Sequence, residues 1–231
     1  MIDASSFANL HNAFWAENAP TSEHFVRRLN LEYTDRWSPP IKKPGGPIRA
    51  ALVAEIAFAK FCTPVGLMSK ANLEAIAIGE ARRRLRPLTD SPDELDVAVS
   101  PDEKVQIDNL ENNLRGFFKK NAATVVLRPT FSGCGYVDAC EGDVVYGATL
   151  YEIKAVDRSF RSADIRQLIT YCALNHASQD FDLRYIGIFN PRRGVSFDMS
   201  IDRVCREISG RSQQELLSEI VSCVSSGDIS R

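Results

Sequence analysis

Three side chains in the stretch "GDVVYGATLYEIKAV", residues 142 to 156, could do chemistry together. Gly147-Ala148 reads as the centre of a tight hairpin turn, with glycine first as a type II′ turn requires. That register sets Tyr146 against Thr149, Val145 against Leu150 and Asp143 against Glu152. Side chains alternate along strands, so Asp143, Val145, Leu150, Glu152 and Lys154 share one face. Directly opposed residues have Cβ atoms about 4.5–5.5 Å apart. Two carboxylates at that spacing repel, and in a half-buried sheet the repulsion must be answered by a cation or a shared proton. Lys154 can supply part of the answer. A divalent cation bridging both acids is the other. Mg²⁺ or Mn²⁺ held by Asp143 and Glu152 would polarise a phosphodiester and acidify a bound water. Lys154 would then orient or help deprotonate that water, or stabilise charge building on phosphorus. The plainer alternative is a solvated hairpin face with ordinary salt bridges, and D-x₈-E-x-K is too short to decide between them alone.

The elements that must position these residues follow from the surrounding pattern. "PDEKVQIDNLENNLRGFFKK" carries Ile107, Leu110, Leu114, Phe117 and Phe118 at helical spacing. "ATVVLRPTF" reads as a strand, "SGCGYVDACEGD" must turn, and the hairpin follows. "SADIRQLITYCALNHA" predicts a helix with Ser162 as N-cap and Asp164 in its first turn. "DLRYIGIFNPRRGVSFDMSI" predicts a second hairpin turning at residues 190–194, and helices near 201–208 and 212–225 close the chain. Residues 1 to 35 read as helical with aromatic anchors at Phe14, Trp15, Phe25 and Tyr33. "WSPPIKKPGGP" interrupts them as a loop or linker. An apolar helix started by Pro47 and a second helix over 70–84 follow, and then an acidic connector. The expectation is an α/β fold: a mixed sheet flanked by helices over 101–231, preceded by a helical region over 1–100.

Composition sets outer bounds. The chain has 231 residues, 44% of them hydrophobic and 25% charged, enough for a sizeable core. The net charge of −2 gives no global attraction to nucleic acid, so such contacts must come from a local patch. No run of about 18 apolar residues predicts a membrane span. The first twenty residues lack a basic start followed by an apolar core, so no signal peptide is expected. The six scattered cysteines form no C-x-x-C pair, which points to a reduced cytoplasmic protein without a zinc or iron–sulfur site.

With Asp143 opening a strand, E-x-K at Glu152 and Lys154 on the next, and Q-x-x-x-Y at Gln167 and Tyr171 on the following helix, the chain resembles the PD-(D/E)xK phosphodiesterase superfamily, especially its RecB-type nuclease branch. "FNPRRG" resembles the later hairpin turn of that branch. The resemblance covers roughly residues 102 to 200. It implies a restriction-endonuclease-like core and a Mg²⁺- or Mn²⁺-dependent nuclease. Asp143, Glu152 and the backbone carbonyl of Ile153 would hold the metal, Lys154 would assist the attacking water, and Gln167 and Tyr171 would support the site. DNA is the substrate it implies, although the residues themselves do not separate DNA from RNA.

The branch usually places a metal-binding histidine on an upstream helix, and His11, His24 and His176 do not fit that place. Two glutamates on apolar helix stripes are the candidate replacements, Glu55 and Glu111, with Glu111 favoured by its position just before the first strand. Arg158, Arg161 and Arg166 follow the E-x-K strand and open the glutamine helix, and Arg192 and Arg193 sit at the second hairpin's tip. All five are candidate phosphate contacts. Near-neutral net charge further suggests weak intrinsic DNA affinity and delivery of the substrate by a partner protein or complex, with homo-oligomerisation left open; a role in defence or repair is not shown by the residues. The rival reading is a catalytically silent nucleic-acid-binding or assembly module on the same fold.

Overall fold

The computed structural model describes residues 2–64, 69–119 and 124–227. Lys120 and Ala123, at the ends of a predicted helix and strand, lie outside the described residues. Along the chain run α1 (Ala4–Leu10), α2 (Asn12–Asn18), α3 (Ser22–Arg28) with a π-helical turn, β1 (Asp35–Arg36), α4 (Ala50–Cys62), α5 (Lys70–Leu85) and α6 (Pro101–Phe118). There follow β2 (Val125–Leu127), β3 (Thr130–Phe131), β4 (Cys140–Glu141), β5 (Val144–Tyr146), β6 (Thr149–Ile153), α7 (Ser162–Ser178), β7 (Tyr185–Asn190), β8 (Val195–Ser200), α8 (Ile201–Ser209) and α9 (Gln213–Ser226).

The main sheet has the order β1-β8-β7-β6-β5-β2. Its β6–β7 pair is parallel and connected through α7, and its other pairs are antiparallel, so the sheet is mixed. Alternation sorts its side chains cleanly. Val145, Leu150, Ile186, Ile188 and Phe197 join a core shared with the N-terminal helices and α7–α9. Val144, Tyr151 and Phe189 point the other way, onto Phe58 and Phe61 of α4 and Leu114 and Phe118 of α6. Helices therefore cover both faces, as expected for an α/β fold with a parallel pair at its centre. Among the described residues no helix is long and apolar enough to cross a membrane.

The core includes side chains from both sides of residue 100. Phe7, Trp15, Phe25 and Leu29 are fully buried in the same cluster as Leu150 and Ile188, and β1 pairs with β8 at the sheet edge. The segment predicted as a loop or linker is a pinned strap. Trp37 and Ser38 donate backbone N–H groups to Gly194 O, Ile41 donates to Arg192 O at 2.9 Å, and buried Gln106 donates its side chain to Lys42 O at 2.9 Å. Gly194 has φ +63, and a Cβ there would meet Ser38 O at 2.1 Å, so this position requires glycine.

Three local expectations are corrected. The apolar helix begins at Ala50 with Arg49 as N-cap, so Pro47 stands outside it. The predicted strand through Phe131 is split at Arg128-Pro129 into β2 and β3, which belong to different sheets. Arg128 has φ +53, and Pro129 has no N–H to continue the ladder. Ser162 is the first helical residue, with Arg161 as N-cap; its hydroxyl donates instead to Glu23 of α3.

Helix α6 starts where Ser100 and Glu103 form a capping box, with Pro101 in the first turn. Glu103 is 3% exposed and also receives the Arg49 guanidinium at 2.6 and 2.8 Å. Hydrogen bonds from Arg49 hold its carboxyl down, at about 2. A depressed acid stabilises the fold above its ordinary value near 4.5, and that contribution is lost as the pH falls through the folded value. We therefore expect the urea midpoint to fall between about pH 4.5 and pH 2, by the equivalent of about 2–3 kcal/mol. In Glu103→Gln the same titration is expected to be flatter, and an unchanged slope in that variant would assign the acid sensitivity to other groups.

Candidate active site

The hairpin has the register read from its turn: Val144 faces Tyr151, Val145 faces Leu150 and Tyr146 faces Thr149. Gly147 takes φ +60 at the first central position, as type II′ demands. Asp143 lies one step beyond the ladder, opposite Glu152. Where a backbone partner would come next, the Asp143 carboxylate accepts the Ile153 N–H at 2.7 Å. A strand residue's N–H and C=O point to the same side, so the Ile153 carbonyl is directed toward the Asp143 side as well. Glu152, on the central strand β6, is 6% exposed.

The helix α7 covers this end of β6 and completes a continuous chain of polar contacts. Lys154 Nζ donates to Glu152 Oε1 at 2.9 Å and to Gln167 Oε1 at 3.0 Å, and lies 3.8 Å from Asp164 Oδ1. Gln167 Nε2 donates to Tyr171 OH at 2.9 Å, and Tyr171 OH donates to the Glu141 carbonyl at 3.2 Å. Gln167 and Tyr171 meet because residues four apart share a helix face. With both ends of its amide engaged, Gln167 has one orientation, and it fixes the Lys154 ammonium beside Glu152.

Burial raises the Asp143 carboxyl well above the usual carboxylate range, and the Glu152 charge adds to the rise; the Ile153 N–H and Lys154 only partly offset it. Burial works to lower the Lys154 ammonium, but Glu152, Asp164 and Asp143 outweigh it and leave it above the usual lysine range. Asp143 is thus buried beside a second acid, and a bound cation would stabilise its ionised form. Two carboxylates and one carbonyl, all of them oxygen donors, suit Mg²⁺ or Mn²⁺, which keep several waters and accept substrate oxygens. Among the described residues no three His, Cys, Asp or Glu side chains stand together as a cation cage.

The two upstream glutamates separate. Glu55 of α4 is among the charges acting on Asp143. Glu111, favoured by sequence position, is taken up on the far side of α4 by Lys60 at 2.7 Å and Arg115 at 2.9 Å. Glu55 itself is paired with Arg128 at 3.3 Å and Arg84 at 3.7 Å. The same two arginines hold Glu80 and Glu141. Glu141, expected in a loop, pairs as β4 with Thr130.

The five candidate arginines are also divided. Arg158 is committed to Asp164 in a two-pronged pair at 2.8 and 3.0 Å. Arg161 and Arg166 line a separate cavity of about 390 Å³ between α7 and the N-terminal helices, where the Arg166 guanidinium lies 5.9 Å from the Trp15 ring. Only Arg192 and Arg193 reach the cleft beside Lys154. That cleft, about 990 Å³, runs between α4, the strap and the end of β6. Arg192 is anchored by Gln106 Oε1 at 2.8 Å. The strap contributes Lys42 and Lys43 to the same cleft, and Lys43 pairs across it with Asp157 at 2.8 Å. Sequence reasoning passed over these lysines because they sit in a segment whose prolines and glycines signalled only a break. Adjacent cations between two proline turns were the available signal.

No family model matches the chain, and no curated protein matches it.

Proposed function

We propose that this protein is a metal-dependent nuclease with a restriction-endonuclease-like core, hydrolysing phosphodiester bonds in DNA. The observation that carries the reading is the opposition of Asp143 and Glu152 at the end of β6, with Lys154 bonded to both Glu152 and Gln167. Asp143, Glu152 and the Ile153 carbonyl would hold Mg²⁺ or Mn²⁺. When bound, such an ion supplies Lewis acidity to the phosphodiester and acidifies the attacking water. Lys154, kept protonated by its acidic neighbours, suits stabilisation of charge on the phosphorus better than removal of a proton. Gln167 and Tyr171 hold Lys154 in place. Lys42, Lys43, Arg192 and Arg193 line the adjoining cleft, where cations would seat backbone phosphates. DNA as the substrate comes from the superfamily resemblance, and the net charge of −2 favours delivery by a partner protein.

A second reading is a silent binding or assembly module on the same fold. It is favoured by a lysine that already pairs with Glu152 and by the finding that, among the described residues, no three His, Cys, Asp or Glu side chains group as a cation site. One assay separates the readings. Purified protein is incubated with single-stranded and duplex DNA, and with RNA, in Mn²⁺, Mg²⁺ or EDTA. Cleavage is expected with either metal and none with EDTA. Binding without cleavage in every metal would overturn the nuclease and leave the module.

A further inference from the structure

We propose that Arg128 is a positioning residue that withholds Glu55 from the Asp143–Glu152 pair and so sets how tightly the site binds its cation. This inference rests on the nuclease reading above. Arg128 is a half-buried hub. Its guanidinium lies 5.0 Å from the Phe58 ring centroid on α4. It meets carboxylates from three separate elements: Glu55 of α4 at 3.3 Å, Glu80 of α5 at 3.1 Å and Glu141 of β4 at 3.2 Å. Its own backbone N–H donates to the Asp143 carbonyl at 2.9 Å, so the hub is tied directly to the residue that begins the site.

The backbone at Arg128 is in the left-handed region, φ +53, where side-chain-bearing residues are rare. Such a conformation persists where the surroundings fix it, and here the fixing contacts are the three carboxylates, the Phe58 ring and the Asp143 carbonyl. Arg84 reinforces the arrangement from the more exposed side, at 2.9 Å from Glu141, 3.4 Å from Glu80 and 3.7 Å from Glu55. Glu55 is linked to Asp143 through Arg128, whose backbone N–H meets the Asp143 carbonyl while its guanidinium holds the Glu55 carboxylate at 3.3 Å, and the Arg84 and Arg128 pairs both draw Glu55 into this cluster. Removing the Arg128 guanidinium would leave Glu55 on the longer Arg84 pair at 3.7 Å and delete a positive charge, and both changes favour a divalent cation. Because Glu55 belongs to α4, and Glu80 and Arg84 to α5, the placement of that helical pair becomes a determinant of cation affinity. Reciprocally, the cation becomes a determinant of their placement.

The test is Mn²⁺ affinity by titration calorimetry and by the Mn²⁺ paramagnetic resonance signal, with melting temperature measured in parallel. Arg128→Gln is expected to bind Mn²⁺ about tenfold more tightly than the unaltered chain while melting lower. A role confined to structure would move both downward. The gain is expected to shrink to less than about threefold when Glu55→Gln is added, since the effect passes through Glu55. Arg84→Gln, at the exposed side of the same cluster, is expected to tighten binding by a smaller factor and serves if Arg128→Gln does not fold. Weaker Mn²⁺ binding in the arginine variants, or a gain that persists undiminished without Glu55, would overturn the proposal while leaving the nuclease reading intact. No binding by the unaltered chain or any variant would overturn both.

Discussion

Replacing Lys154 by alanine is expected to lower metal-dependent cleavage by about 10²–10⁴-fold while leaving Mn²⁺ binding as tight as before or tighter. The split follows from what Lys154 touches. Its ammonium is bonded to Glu152 at 2.9 Å, and the charges of Glu152, Asp164 and Asp143 hold it protonated. Removing it takes a cation away from two opposed carboxylates, so an added divalent ion gains affinity. The same removal deletes the one cation that Gln167 and Tyr171 fix beside the proposed reacting phosphate, so turnover falls. Without metal, the variant leaves Glu152 buried beside Asp143 with no counter-ion. That arrangement costs about 3–5 kcal/mol when one partner of a buried pair is lost. A melting curve measured with and without Mn²⁺ is therefore expected to show a larger metal-dependent rise in Lys154→Ala than in the unaltered chain. Retention of full cleavage by Lys154→Ala would remove the catalytic assignment of this residue, and loss of Mn²⁺ binding along with cleavage would make its role structural.

The second large effect concerns the N-terminal helices. Trp15→Ala is expected to destabilise the whole chain by about 3–5 kcal/mol, out of the roughly 5–15 kcal/mol typical of a domain. Trp15 has no exposed surface, packs against Phe7 and Phe14, and donates its indole N–H to Phe7 O at 3.0 Å. It belongs to the cluster that contains Leu150 and Ile188 of the central strands. A fragment comprising residues 101–231 would expose that face of the sheet, and through the loss of Phe58 and Phe61 it would also expose the opposite one. It is expected to show no cooperative unfolding transition in urea. A fragment that folds with a sharp transition would show that the first hundred residues are an addition to a self-sufficient core.

The parts of the site that could be read in advance are those governed by neighbours in the chain. A glycine-first turn sets the pairing of the residues on either side, and the two-residue period of strands then decides which of them share a face. Gln167 and Tyr171 meet because a helix repeats near four residues. These rules placed Asp143, Glu152 and Lys154 on one face and predicted the α/β order of elements, missing the helix starts, the strand break at Arg128-Pro129 and the short strands β1 and β4.

The remainder depended on packing between distant segments. Glu55 and Glu111 both occupy apolar helix stripes, and the periodicity of each helix is silent on where its charged edge will lie against other elements. Lys60 and Arg115 captured one glutamate, and Arg84 and Arg128 the other. The arginines after β6 looked like one group by proximity in sequence, yet the start of α7 turned two of them toward the N-terminal helices and bound the third to Asp164. Their place at the cleft was taken by the strap lysines, more than a hundred residues upstream of Lys154. By itself the sequence determined the local arrangement, two opposed acids with a lysine on the same face, because turn geometry and strand alternation act over a few residues. Only the tertiary structure decided which other charges surround that pair, because those contacts are chosen by how helices and loops far apart in the chain close over the sheet.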